Sequence, residues 1–200
     1  MIYFFLLSFG ILGAGIKYID SAYDEKTFSK KIALFVAPVL GILWAYTMLI
    51  NPVAATILLA VICGVLFKGK IDNLAHFAGL GVICAIIFIA GVQLLIIPLI
   101  FLSCAALLDE VGNDLVDKKK EKMNLNKKIS KFIVSFFDQR WTLKVAILTL
   151  CIIGVIPFVF FLAMLLFDYS YIGVRLYSEY RQNKEQSIEN NNTVEASVVS

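Results

Sequence analysis

The chain has 200 residues, 60% of them hydrophobic, and a formal net charge of +3. Its mean hydropathy of +0.85 argues against a soluble helical bundle, since an ordinary soluble domain is only about half apolar. The small net charge gives no case for nucleic-acid binding, and the charges that exist are segregated towards one membrane surface.

The first apolar run, about 2–16, lacks a basic leading region and a small-residue cleavage site, so it is predicted to be a retained span. A polar segment from Lys17 to Lys30 follows. The second span is predicted over about 31–50, ending at the turn dipeptide Asn51-Pro52. The third covers about 53–67, and a charged loop, Lys68 to Asn73, comes next.

From Phe77 to Leu108 no residue carries a charge. As one helix this segment is about 48 Å long, against a hydrocarbon core of about 30 Å. It is therefore divided near Gly91-Val92-Gln93 into spans of about 77–91 and 93–108, with Pro98 as a candidate bend.

Residues 109–142 are mixed. Ile129, Phe132, Ile133, Phe136 and Phe137 recur at helical spacing beside Lys118, Lys119, Lys120, Lys122, Lys127, Lys128 and Lys131. That pattern predicts a basic helix lying in the interface or packed on the chain's own spans. The last apolar stretch, about 143–174, contains Gly154, Pro157 and Asp168 and is either one kinked span or two short ones. Its flanking Arg140 and Lys144, beside Trp141, read as interface anchors. The tail, 183–200, is rich in Asn, Glu and Ser and is predicted to be disordered. The predicted fold is thus an all-α polytopic transmembrane helical bundle of six or seven spans, with residues 1–182 forming the membrane domain.

Fifteen of the eighteen Lys and Arg residues fall in three patches, Lys17 to Lys31, Lys68 to His76 and Asp109 to Lys144. The intervening turns have none. The positive-inside rule places the charged loops in the cytoplasm and the N-terminus outside a cell membrane. Six spans put the tail outside and seven put it inside; Arg175, Arg181 and Lys184 lean towards seven.

Cys63, Cys84, Cys104 and Cys151 lie in apolar runs and form no CxxC pair, so they read as packing residues. The acidic residues are the candidates for chemistry. Asp20 and Asp24 are four apart, on one face if the first helix continues. Asp72 and His76 have the same spacing where a span begins, and Asp72 is also a candidate helix cap. On a helix, Asp109, Asn113 and Asp117 form one stripe, overlapped by Glu110, Asp114 and Asp117. Like charges this close need a cation, and oxygen ligands suit Mg²⁺ or Ca²⁺. The alternative is a solvated helix edge. Asp168 interrupts an uncharged stretch, where it either faces protein or water or sits at the interface with Tyr169 and Tyr171.

Two segments resemble the acid motifs of UbiA-type membrane prenyltransferases. Asn113-Asp114-Leu-Val-Asp117-Lys-Lys-Lys-Glu121 is similar to their first motif and Asp20-Ser-Ala-Tyr-Asp24 to their second, in reversed order. The resemblance implies carboxylates holding Mg²⁺ on a prenyl diphosphate. More broadly, the K-Y-I-D-x-A-Y-D-E, G-K-I-D-N and L-D-E-x-G-N-D pattern resembles that of uncharacterised small polytopic membrane proteins of archaea and bacteria. It carries no activity with it.

Three functions follow as expectations. One is a metal-assisted enzyme acting on a lipid or prenyl phosphate, with Asp20, Asp24, Asp109, Asp114 and Asp117 as metal ligands, Lys118 and Lys119 on phosphate, and His76 as proton acceptor. Another is a small transporter or ion-conducting protein that depends on Asp168. The third is a non-catalytic scaffold that binds anionic lipid through its basic helix.

Overall fold

The computed structural model describes residues 1–67, 73–119, 136 and 141–199. These residues form seven helices: α1 (Ile2–Tyr23), α2 (Lys30–Leu49), α3 (Pro52–Phe67), α4 (Leu74–Ala90), α5 (Ile96–Lys119), α6 (Trp141–Ile152) and α7 (Phe158–Val199). Three of them, α1, α2 and the Phe158–Lys184 part of α7, are long and apolar enough to cross a membrane. Helices α3, α4 and α6 are shorter and equally apolar.

Local chemistry explains most of the boundaries. Asn51 caps α3, its Oδ1 accepting from the N–H groups of Val53 at 2.8 Å and Ala54 at 3.1 Å. Pro52 takes the first helical position, where its missing donor costs nothing. The uncharged segment breaks where predicted. Gly91 adopts φ 71° and ψ 160°, a conformation essentially restricted to glycine, and ends α4. The Gly91–Leu95 link is tied down when the Leu95 N–H donates to Thr56 Oγ1 of α3 at 3.0 Å. Such pairing matters for irregular backbone at membrane depth.

Pro98 is not a mid-helix bend. It lies in the first turn of α5, where the N–H has no partner within the helix anyway. The last apolar stretch resolves into two helices, α6 and α7, because Gly154 takes φ 81° and Pro157 precedes α7.

Two boundaries differ from the sequence expectation. Helix α1 continues through Lys17 to Tyr23, past the predicted end of the first span. Helix α7 runs to Val199, through most of the tail expected to be disordered. No Pro or Gly follows Gly173, and Arg175 Nε donates to Glu179 one turn on at 3.0 Å. Of the predicted basic interfacial helix, only Lys118 and Lys119, at the end of α5, and Phe136 fall among the described residues.

Helices α1, α2, α3, α5, α6 and α7 pack in a closed ring, and α4 docks on α2. The ring encloses one core, including Phe9, Leu12, Met48, Ile57, Leu58, Leu102, Ile147, Phe160 and Phe167. Large apolar side chains also cover the outside: Phe88, Ile89 and Ile97 are each more than 80% exposed. An apolar exterior around a packed core suits lipid as solvent, where association relies on close packing.

Small residues permit that packing. A Cβ on Gly41 of α2 would lie 2.6 Å from the Gly79 carbonyl oxygen of α4. At the α1–α7 crossing, a Cβ on Gly13 would lie 2.1 Å from the Phe167 carbonyl oxygen.

Candidate functional site

The C-terminal end of α1, the N-terminal ends of α2 and α4, and the middle of α7 meet at one end of the bundle. A second small cluster of Ile19, Ala22, Ala33, Ala37 and Ala75 seals their contacts. Between these helices and α3 lies a cavity of about 420 Å³. Its body is apolar, with Leu40, Trp44, Val61, Ile83 and Phe167 in its wall. Lys17, Asp20, Asp24, His76 and Tyr171 supply its polar groups.

Asp20 is the centre of the polar set. Its Oδ1 lies 3.2 Å from His76 Nε2, and its Oδ2 accepts from the Tyr171 hydroxyl at 3.3 Å. Three helices therefore converge on one carboxylate. Asp24, one turn beyond Asp20 at the end of α1, also lines the cavity and is exposed. The predicted common face of Asp20 and Asp24 is present.

At the start of α4, Asn73 is the cap: its Oδ1 accepts from the His76 backbone N–H at 2.9 Å. Asp72, the cap candidate from sequence, lies outside the described residues. Asn73 Nδ2 also lies 2.9 Å from His76 Nδ1. One amide thus terminates the helix and holds the ring.

Lys17 is buried, and besides lining the cavity it belongs to a strap. Its Nζ donates to Glu25 Oε1. Ser178 of α7 donates to Glu25 Oε2 at 2.6 Å, so the 2.6 Å contact between Thr27 and Ser178 has Thr27 as donor. Gln182 Nε2 donates to the Glu25 backbone carbonyl at 3.2 Å. Phe28 stacks on Tyr18 and Tyr177. The loop between α1 and α2 is thereby fastened to α7 beside the cavity.

Partial burial pushes the Glu25 carboxyl upward, but the hydrogen bonds from Lys17 and Ser178 and the Lys17 charge outweigh it, leaving the group below its ordinary value. A carboxyl lowered on folding stabilises above its unfolded value, and that contribution is lost as pH falls through the folded value. Thermal stability is expected to fall as pH drops below about 4.3, the usual glutamate value. Glu25→Gln is expected to flatten this part of the profile; an unchanged profile in melting experiments refutes the role of the strap.

The remaining candidates lie elsewhere. Asp109 is 1% exposed and accepts from the Thr142 and Leu143 N–H groups at 2.9 and 2.7 Å. It caps α6 from α5, because those free N–H groups need an acceptor in the apolar interior. This commitment argues against its predicted place as a metal ligand. Asp168 does not line the cavity: it is buried and paired with Lys144 at 2.5 Å. Lys144, expected to be a surface anchor, is 3% exposed and also lies over the Trp141 ring. Asp114, Asp117, Lys118 and Lys119 continue helix α5, but their side chains lie outside the described ones. Among the described residues no three His, Cys, Asp or Glu groups are placed to hold a metal ion.

Comparison with known proteins adds no assignment. The chain matches no family model, no curated protein and no solved structure. The functional argument rests on the cavity.

Lys17, Asn73, Tyr171 and Ser178 were not singled out from sequence. Only Asn73 carried a local signal, as a cap residue three positions before His76. The others are recruited by helix packing between distant parts of the chain.

Proposed function

We propose that this chain is a multi-pass protein of the cell membrane that takes one amphiphilic lipid into the cavity between α1, α2, α3, α4 and α7. The observation that carries this reading is the shape of the chemistry: an apolar body around Trp44 and Phe167 leads to a polar end at Asp20, Asp24, His76 and Tyr171. A volume of about 420 Å³ falls within the range of small-molecule sites, roughly 300–1,000 Å³. The apolar tail of the lipid lies along the helices and its head meets Asp20. With seven crossings the charged loops and the C-terminal tail face the cytoplasm and the N-terminus lies outside.

A second reading competes with a donor-bearing head and gives the lipid an anionic one. Asp20 and Asp24 share the cavity, and Mg²⁺ needs only one or two protein carboxylates when phosphate supplies further oxygens. These two residues fit such an ion on a lipid or prenyl phosphate, where Mg²⁺ neutralises phosphate charge. Asp109 has no part in it. Asp168, committed to Lys144, gives little support to the transporter alternative. The scaffold alternative draws on lysines outside the described residues and leaves the cavity without a role.

Trp44 is a built-in reporter, because the chain has two tryptophans. In a Trp141→Phe background, a chain-brominated amphiphile is expected to quench Trp44 fluorescence saturably, and its unbrominated counterpart should compete. Quenching that rises linearly with bulk lipid and resists competition contradicts the proposal.

A further inference from the structure

We infer that Asn73 locks His76 as its Nε2–H tautomer, making Asp20 the hydrogen-bond acceptor that meets a donor-bearing lipid head, with His76 as its positioning residue. The ligand part of this inference rests on the proposed cavity function. The tautomer part does not.

The argument starts at the first turn of α4. The His76 backbone N–H donates to Asn73 Oδ1 at 2.9 Å. That bond fixes which side of the Asn73 amide carries oxygen, since the flipped amide sets Nδ2 against a backbone donor. Nδ2 then faces His76 Nδ1 at 2.9 Å. An amide NH₂ group only donates, so Nδ1 receives with its lone pair. In a neutral imidazole the hydrogen must sit on the other nitrogen. Nε2–H therefore points at Asp20 Oδ1, 3.2 Å away.

This orientation changes the role expected for the histidine. Its lone pair is occupied by Asn73 and its N–H by Asp20. The ring offers no free acceptor to a ligand. Asp20, by contrast, receives from His76 on Oδ1 and from Tyr171 on Oδ2, and a carboxylate is an acceptor throughout. It lines the cavity and its side chain is 24% exposed. His76 and Tyr171 hold the carboxylate from α4 and α7, and its cavity-facing side meets a lipid hydroxyl or ammonium.

The chain contains one histidine, so nitrogen-15 labelling of histidine gives a single assignable ring. In the purified protein with the ring neutral, Nδ1 is expected to resonate as an unprotonated nitrogen and Nε2 as a protonated one. Asn73→Asp keeps an acceptor for the His76 backbone N–H but replaces the donor facing Nδ1 with an acceptor. That variant is expected to place a proton on Nδ1. A wild-type ring protonated at Nδ1, or an Asn73→Asp ring that keeps Nδ1 unprotonated, overturns the lock.

The Trp44 quenching assay then tests the ligand part. A long-chain alcohol and a long-chain ammonium are compared as competitors, and the stronger one identifies the donor. An alkyl sulfate of equal length, which carries no donor, should compete least. Asp20→Asn is expected to weaken the better donor about tenfold to a hundredfold, the range for a hydrogen bond to a charged group. Quenching by a brominated alkane without a head group should be unchanged. Equal binding of the donor amphiphile in Asp20→Asn, or strongest binding of the sulfate, overturns the role of Asp20. Failure of all quenching to saturate instead removes the cavity function and leaves the tautomer result standing.

Discussion

Lys144→Met is expected to destabilise the folded protein by about 3–5 kcal/mol, the cost of breaking a buried ion pair from one side. Lys144 and Asp168 are 3% and 8% exposed and join α6 to α7 at 2.5 Å. Methionine fills much of the lysine's volume but removes the cation held against the buried carboxylate. That broken ion pair is the main source of the loss, and the loss of the Lys144 contact with the Trp141 ring, at 5.1 Å, is smaller. Lys144→Met combined with Asp168→Leu should therefore recover most of the stability, because an apolar pair of similar volume replaces a buried pair at little cost. Denaturant melts of both variants in detergent decide it. A single variant as stable as the parent, or a double variant no better than the single, contradicts the buried-pair account.

Gly13→Val is expected to cost about 3 kcal/mol, at the upper end of ordinary overpacking. A Cβ at residue 13 falls 2.1 Å from the Phe167 carbonyl oxygen and 2.8 Å from its carbon. Those are backbone atoms, so no rotamer change relieves the clash, and α1 and α7 must separate. The separation also affects the site, since Asp20 of α1 accepts from Tyr171 of α7. Weaker binding in the Trp44 assay should accompany the lower melting temperature. Gly81→Ala is the control: nothing lies within 4 Å of a Cβ there, and alanine favours helix slightly more than glycine. A Gly13→Val protein that melts with the parent argues against the close α1–α7 crossing.

Hydropathy and charge exposed much of the fold. The division at Gly91 followed from a length argument alone, and its positive φ confirms that a glycine is needed there. The alternation of charged and bare ends led to a bundle with its acidic residues near one end, and the Asp20–His76 contact agrees. The site was less legible. Asp20, Asp24 and His76 were recognised as residues with chemistry, yet the sequence linked His76 to Asp72. Asp72 lies outside the described residues, among which the partners of His76 are Asp20 and Asn73.

Asp109 and Asp168 both have partners on other helices. Asp109 looked like a metal ligand because its helical spacing is local, whereas the N–H groups it satisfies belong to another helix. Lys144 read as an interface anchor and Asp168 as facing protein or water or sitting at the interface, and nothing local announces that α6 and α7 pair them. The predicted first span ended at Ile16 and left open whether the helix continues; it does, with Lys17 and Asp20 held by tertiary partners while remaining helical.

The shared cavity requires that the end of α1 and the beginning of α4 open to one compartment. In a background with the four native cysteines replaced by serine, single cysteines at Asp24, Leu74 and Gln93, all exposed positions, can be challenged with a membrane-impermeant thiol reagent in sealed vesicles. The account predicts that Asp24→Cys and Leu74→Cys react from the same side and Gln93→Cys from the other. Reaction of Asp24→Cys and Leu74→Cys from opposite sides contradicts it.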